Sequence, residues 1–175
     1  MKINEICQKY DIENYTINDD NSIDVDGDVN LYKCELTELP LNFNKVNGDF
    51  DCSYNFLTTL KGSPKYVGGE FGCNHNDLTS LEYSPEYVGD DFDCRENKIR
   101  DLYGISDNID GKLYILDNPI DSILDIMDMD FIRAFNVYKV IKDDKVQLKR
   151  LKYVMELFNM YVDLPRIKSS YRIIQ

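Results

Sequence analysis

The sequence predicts an α/β-type repeat solenoid, a parallel β-sheet coil closed by a helix and hairpin at one end and by helix at the other. Two observations predict it. Cys52, Cys73 and Cys94 stand 21 residues apart, and the blocks around them recur: VNGDFDCSYNFLTTLKGSPKY (46–66), VGGEFGCNHNDLTSLEYSPEY (67–87) and VGDDFDCRENKIRDLYGISDN (88–108). VDGDVNLYKCELTELPLNFNK (25–45) precedes them and IDGKLYILDNPIDSI opens a further copy at 109. A fixed period of about 20 residues means one structural unit stacked on itself.

Residues 1–24 read as an N-terminal cap. Lys2–Tyr10 has Ile3, Ile6 and Cys7 on one helical side, and Tyr15-Thr16-Ile17 and Ser22 to Val25 flank the turn Asn18-Asp19-Asp20-Asn21, a hairpin signal. A solenoid end exposes its core and needs such a cover.

Residues 25–123 hold about five repeats of the form F-x-C-x-x-N-x-L. Phe50-x-Cys52 alternates as a strand with one buried face does. The first strand column is Val29, Phe50, Phe71, Phe92 and Leu113, and the second is Leu31, Cys52, Cys73, Cys94 and Ile115. Further apolar columns are Leu36, Leu57, Leu78, Ile99 and Ile120, then Leu39, Leu60, Leu81, Leu102 and Ile123. Between them runs a polar column: Cys34, Asn55, Asn76, Asn97 and Asn118. A buried asparagine can donate to and accept from the turn that follows the strand, so stacked copies form a structural ladder. Cys34 suits the first place as a small side chain with a weak donor.

This pattern matches L-x-x-L-x-L-x-x-N/C-x-L, and residues 25–123 resemble a leucine-rich-repeat solenoid. The flavour L-T-S-L-x-x-S-P-x-Y-V-G-G-x-F-x-C-x-x-N is similar to short repeat proteins of bacteriophage genomes. The resemblance implies a protein-binding scaffold without naming a partner.

Residues 124–175 leave the repeat and read as a C-terminal helical cap. Phe131–Ile141 is a mixed segment read as helix. Asp144 with Gln147 three residues on marks a helix start, and Leu148, Leu151, Met155, Phe158 and Val162 form one apolar stripe. Lys145, Lys149, Arg150 and Lys152 lie beside it. The tail RIKSSYRIIQ reads as a strand or a loosely held end.

The net charge of −12 is uneven. Residues 1–130 carry 10 Lys/Arg against 28 Asp/Glu, and residues 131–175 carry 10 against 4. An acidic body disfavours nucleic acid, whose phosphates demand cations. It favours a protein partner with a basic or polar surface. The N-terminal residues hold no apolar run of the signal-peptide kind and no stretch is long enough to span a membrane, so a cytoplasmic location, that of the host cell for a phage protein, is the expectation, with reduced thiols.

Alternation gives the face on which such a partner would dock, the concave side of a leucine-rich coil. One column is Asp28, Asp49, Glu70, Asp91 and Lys112; the next is Asn30, Asp51, Gly72, Asp93 and Tyr114. After the strand come Tyr32, Tyr54, His75 and Glu96. An acidic stripe edged with aromatics is the expected docking face. Two other readings compete with it: carboxylates that mimic DNA phosphates and so inhibit a nucleic-acid-binding enzyme, and a nucleic-acid contact through the basic C-terminal segment.

Chemistry finds little support. Inward-facing cysteines in a row offer zinc no tetrahedral set, and the one histidine, His75, lies on the opposite side of its strand. Asn74 and Asn76 beside His75 do not suggest an activated nucleophile. Asp24 to Asp28 places Gly27 too early for a calcium loop. No catalytic residue, metal or cofactor is expected.

Overall fold

The computed structural model describes residues 2–106, 108–122, 134, 139–142, 145–158 and 172–174. Short strands dominate: β1 (Tyr15–Ile17), β2 (Ile23–Val25), β3 (Val29–Asn30), β4 (Phe43–Val46), β5 (Phe50–Asp51), β6 (Tyr66–Val67), β7 (Phe71–Gly72), β8 (Tyr87–Val88), β9 (Phe92–Asp93), β10 (Asn108–Ile109) and β11 (Leu113–Tyr114). They make two sheets. The first runs β1-β2-β4-β6-β8-β10, with only the β1–β2 pair antiparallel; the second runs β11-β9-β7-β5-β3 and is wholly parallel. Pairing Phe50 to Phe71 to Phe92 to Leu113 fixes the register at 21 residues. The chain is thus a parallel β-solenoid of about four stacked turns.

Each turn carries two strands, one on each side of a sharp corner. The sequence reading anticipated only the second. The first is carried by a column of buried β-branched residues, Val25, Val46, Val67, Val88 and Ile109. Those residues suit a pleated, half-buried surface, which is where they sit. Gly68 belongs to the corner between them, and a Cβ there would stand 2.1 Å from the Asn47 carbonyl of the turn before. No helix lies within these turns among the described residues. Among the described residues helix is found at α1 (Ile3–Lys9), α2 (Leu148–Leu157), a 3-10 turn at Pro119–Ser122 and the single position Ala134.

A continuous apolar spine fills the interior. Phe50, Phe71 and Phe92 are fully buried, with ring centroids 5.6 and 5.0 Å apart along the stack. Cys52, Cys73 and Cys94 point inward with no exposure, as do Leu57, Leu60, Leu78, Leu81, Ile99, Leu102 and Ile120. Ile123 lies outside the described residues. Each buried side chain of this size contributes about 1.5–3 kcal/mol.

The asparagine column stitches the turns together. Asn76 Oδ1 accepts from Leu57 N of the preceding turn at 2.9 Å, while its Nδ2 donates to the carbonyls of Cys52 and Cys73 at 3.1 Å. Asn55, Asn97 and Asn118 repeat the pattern at 2.8–3.1 Å. Cys34 differs: it is only half-buried and reaches no further than the Tyr32 carbonyl, at 3.7 Å. It stands in the first turn of the second sheet, where no preceding copy offers groups to tie.

At the N-terminal end α1 buries Cys7, and the β1–β2 hairpin joins the first sheet through Ile23 and Val25. In the C-terminal part the start of the helix moves. Residues 145–147 form β13 (Lys145–Gln147), paired with β12 (Ile141–Lys142) and β14 (Arg172–Ile174), and α2 begins only at Leu148. Gln147 N donates to the Val140 carbonyl at 2.8 Å, so the ladder takes the groups a helix start would have used. Leu151, Val154 and Met155 are the buried residues of α2. Most of the helix expected over 131–141 lies outside the described residues; Ala134 is helical, whereas Ile141 opens β12. Asp144 and Val162 also lie outside them.

Candidate partner-binding face

The outward positions of the second sheet carry the acidic columns, and the stacking gives them two different jobs. Asp28 Oδ1 accepts from Asp49 N at 2.9 Å, Asp49 Oδ1 from Glu70 N at 2.8 Å, and Asp91 Oδ1 from Lys112 N at 2.7 Å. Each aspartate caps a backbone donor in the following turn, so part of the acidic stripe is a second ladder. Glycine makes room for it. A Cβ at Gly48, Gly69 or Gly111 would lie 1.9, 2.0 or 2.5 Å from the capping oxygen of Asp28, Asp49 or Asp91. In the turn where the acid is Glu70, the equivalent glycine position is Asp90. There Asp90 carries the Cβ that glycine elsewhere lacks, and the capping bonds of the column come from Asp28, Asp49 and Asp91.

Glu70 is the odd member of the column in its electrostatics too. Its carboxyl is pushed above the ordinary value by partial burial and then by the charges of Asp49, Asp93, Asp91 and Asp51. Among the described residues the side-chain ion pairs are His75–Glu96, Arg95–Asp93 and Lys98–Asp77, so Asp49, Asp51 and Glu70 form no salt bridge, although the Glu70 charge is felt by Arg95.

The second column is less uniform than simple alternation predicts. Asn30 and Asp51 turn back on their own chain, accepting from Tyr32 N at 3.0 Å and Ser53 N at 2.8 Å. Asp93 is not an exposed docking group; it is 3% exposed, gripped by Arg95 through Nε (3.0 Å) and Nη2 (2.6 Å) and by Asn74 Nδ2 (2.9 Å). The Arg95 guanidinium lies 5.2 Å from the Tyr114 ring, which leaves Tyr114 half-buried beneath it. Arginine two residues after the strand was the signal, and alternation alone does not report what a neighbouring side chain covers. Gly72 leaves a gap between Asp51 and Asp93, a groove of about 140 Å³ lined by Asp49, Phe50, Asp51, Ser53, Glu70, Gly72 and Asn74.

The aromatic edge also shifts register. The 21-residue column is Lys33, Tyr54, His75, Glu96 and Asp117, not one headed by Tyr32, and all five have φ of 51–58°. The left-handed region costs a non-glycine residue about 1–2 kcal/mol. Tyr54 and His75 stack with ring centroids 3.9 Å apart, Tyr32 meets Tyr54 edge-on at 5.1 Å, and the Lys33 ammonium lies about 5 Å from both tyrosine rings. Asn74 donates to Asp93, so its oxygen faces His75 Nδ1 at 3.1 Å, and His75 Nε2 meets Glu96 at 2.9 Å. The histidine is held by partners on both nitrogens.

Elsewhere the chemistry is quiet. Burial drives the thiols of Cys52, Cys73 and Cys94 far above the usual range. No group of three or more His, Cys, Asp or Glu side chains gathers as a metal site among the described residues, and no described helix is long and apolar enough to cross a membrane. Comparison with known proteins finds no matching family, no matching curated protein and no matching solved structure.

Proposed function

We propose that this solenoid is a non-catalytic interaction module that binds a protein with a basic surface through the outward face of its second sheet. The observation that carries the reading is the set of carboxylates at Asp49, Asp51 and Glu70 that form no salt bridge with a side chain, on a face bordered by the Tyr54–His75 stack. Large side chains at left-handed positions add support, because glycine or asparagine would be less strained there. Tyrosine and arginine are the residues around which interfaces concentrate their binding energy. Five strands span roughly 20–25 Å, enough for a standard interface of about 800 Å² per partner.

The leucine-rich pattern and its likeness to phage repeat proteins extend the proposal: a cytoplasmic protein that occludes a host component, a defence protein being one candidate, with the helical ends serving as caps. The repeated carboxylate column supports a second reading, a mimic of DNA phosphates that inhibits a nucleic-acid-binding enzyme.

A partner captured from host lysate and purified provides the test. Glu70→Lys and Asp51→Lys reverse charge without removing an aspartate that caps the next turn, and each is expected to weaken binding at least tenfold. Steep salt dependence with displacement by duplex DNA would select the mimic, whereas a larger loss from Tyr54→Ala would select ordinary docking. Unchanged affinity in both charge reversals would end the proposal.

A further inference from the structure

We infer that the groove over Gly72 receives an arginine side chain of the partner. The inference rests on the reading of this face as a docking surface and specifies the group it recognises. The repeat itself supplies the precedent. Position 51 is equivalent to position 93 through the strand register, and position 53 to position 95. At the later site Asp93 binds a guanidinium in a fork, through Arg95 Nε and Nη2, and the next turn offers Tyr114 as a platform beneath it.

At the earlier site the carboxylate is kept and the chain's own guanidinium is missing. Ser53 stands where Arg95 would, and Gly72 stands where Tyr114 would. Asp51 Oδ1 is occupied by Ser53 N, and neither carboxylate oxygen meets a side-chain cation among the described residues. Gly72 is needed for the space: a Cβ would lie 3.1 Å from Ser53 Oγ and 3.2 Å from Asp51 Oδ1. The resulting 140 Å³ is room for about four or five waters at roughly 30 Å³ each, or for a planar guanidinium and the end of its stem. Asp49 and Glu70 wall the groove, and the Asn74 side chain bridges it to Asp93. A guanidinium entering there finds paired acceptors and several negative charges, the setting in which a rigid fork outperforms a point-charge ammonium.

The experiment titrates the full 15N-labelled chain with arginine amide, and in parallel with lysine amide, following backbone amide shifts. Saturable shifts confined to Ser53, Gly72 and Asn74, with arginine amide bound at least fivefold more tightly than lysine amide, are expected. Ser53→Arg should rebuild the later site, fill the groove from within and lower arginine-amide affinity at least tenfold, while Thr58→Arg, on the same turn outside the groove, should not. Equal response to both amides, shifts spread along the whole acidic column, or unaltered binding to the Ser53→Arg protein would each overturn the inference. A partner whose affinity falls with Glu70→Lys but is indifferent to Ser53→Arg would also refute it, while leaving the docking face intact.

Discussion

Replacing Asn76 by alanine tests the ladder that holds one turn to the next. The change removes four hydrogen bonds from a side chain that is 8% exposed, the fourth being to the Asn74 carbonyl at 3.3 Å, which keeps Tyr54 N as a donor, and the losses are unequal. The Cys52 carbonyl keeps a donor in Asn55 Nδ2 at 2.9 Å, and the Cys73 carbonyl keeps Asn97 Nδ2 at 3.0 Å. Leu57 N has the Asn76 oxygen as its acceptor and would be orphaned in the interior. An orphaned buried donor costs about 1–3 kcal/mol, and each carbonyl bond lost beside it roughly 0.5–1 kcal/mol. Over one donor and three carbonyl bonds the sum is about 2.5–6 kcal/mol, a large share of the ~5–15 kcal/mol by which domains are stable. Urea unfolding followed by far-UV circular dichroism should show the midpoint fall by about 1–3 M for a slope near 2 kcal/mol/M. Asn76→Asp should be worse at neutral pH, because a carboxylate would turn oxygen toward two carbonyls, and should recover partly on acidification. A loss below about 1 kcal/mol in the alanine variant would refute the assignment of the column as an energetic tie.

Other consequences follow from the second ladder and the thiols. Glu70→Asp should regain a cap on Asp91 N only when Asp90→Gly clears the space, so a double-mutant cycle should show a favourable coupling of about 1 kcal/mol; additive singles would reject the size-matching argument. Glu70→Gln should raise stability at neutral pH by up to about 1 kcal/mol. The folded-state value of Glu70 is raised, so its protonated form favours the fold; the wild-type protein suffers above that raised value and catches up as pH falls through it toward the unfolded value. A gain from Gln that persists below the ordinary carboxylate range would contradict this. With a disulfide-exchange reagent at neutral pH, Cys34 should react first, while Cys52, Cys73 and Cys94 should wait for unfolding; three fast core thiols would show that the spine is open.

Most of the architecture could be read from spacing, because a solenoid writes its period directly into the chain: each of Phe50, Cys52, Asn55, Leu57 and Leu60 recurs where stacking needs the same shape again. The acidic stripe was legible for the same reason. What spacing could not assign was the company each residue keeps across turns. Asp49 and Asp91 cap the next turn's backbone about 20 positions on, Asp93 disappears between its near neighbour Arg95 and Asn74 of the turn before, and Gly72 opens a groove between turns. The valine strand column was visible but ambiguous, since two-residue strands leave too little alternation to register as a pattern. Periodicity therefore dictated the coil, its apolar spine and its asparagine ties. Which carboxylates are consumed by the fold and which stay available for a partner was decided only by packing one turn on another, because hydrogen-bond distance and side-chain length, rather than order along the chain, determine what each oxygen meets.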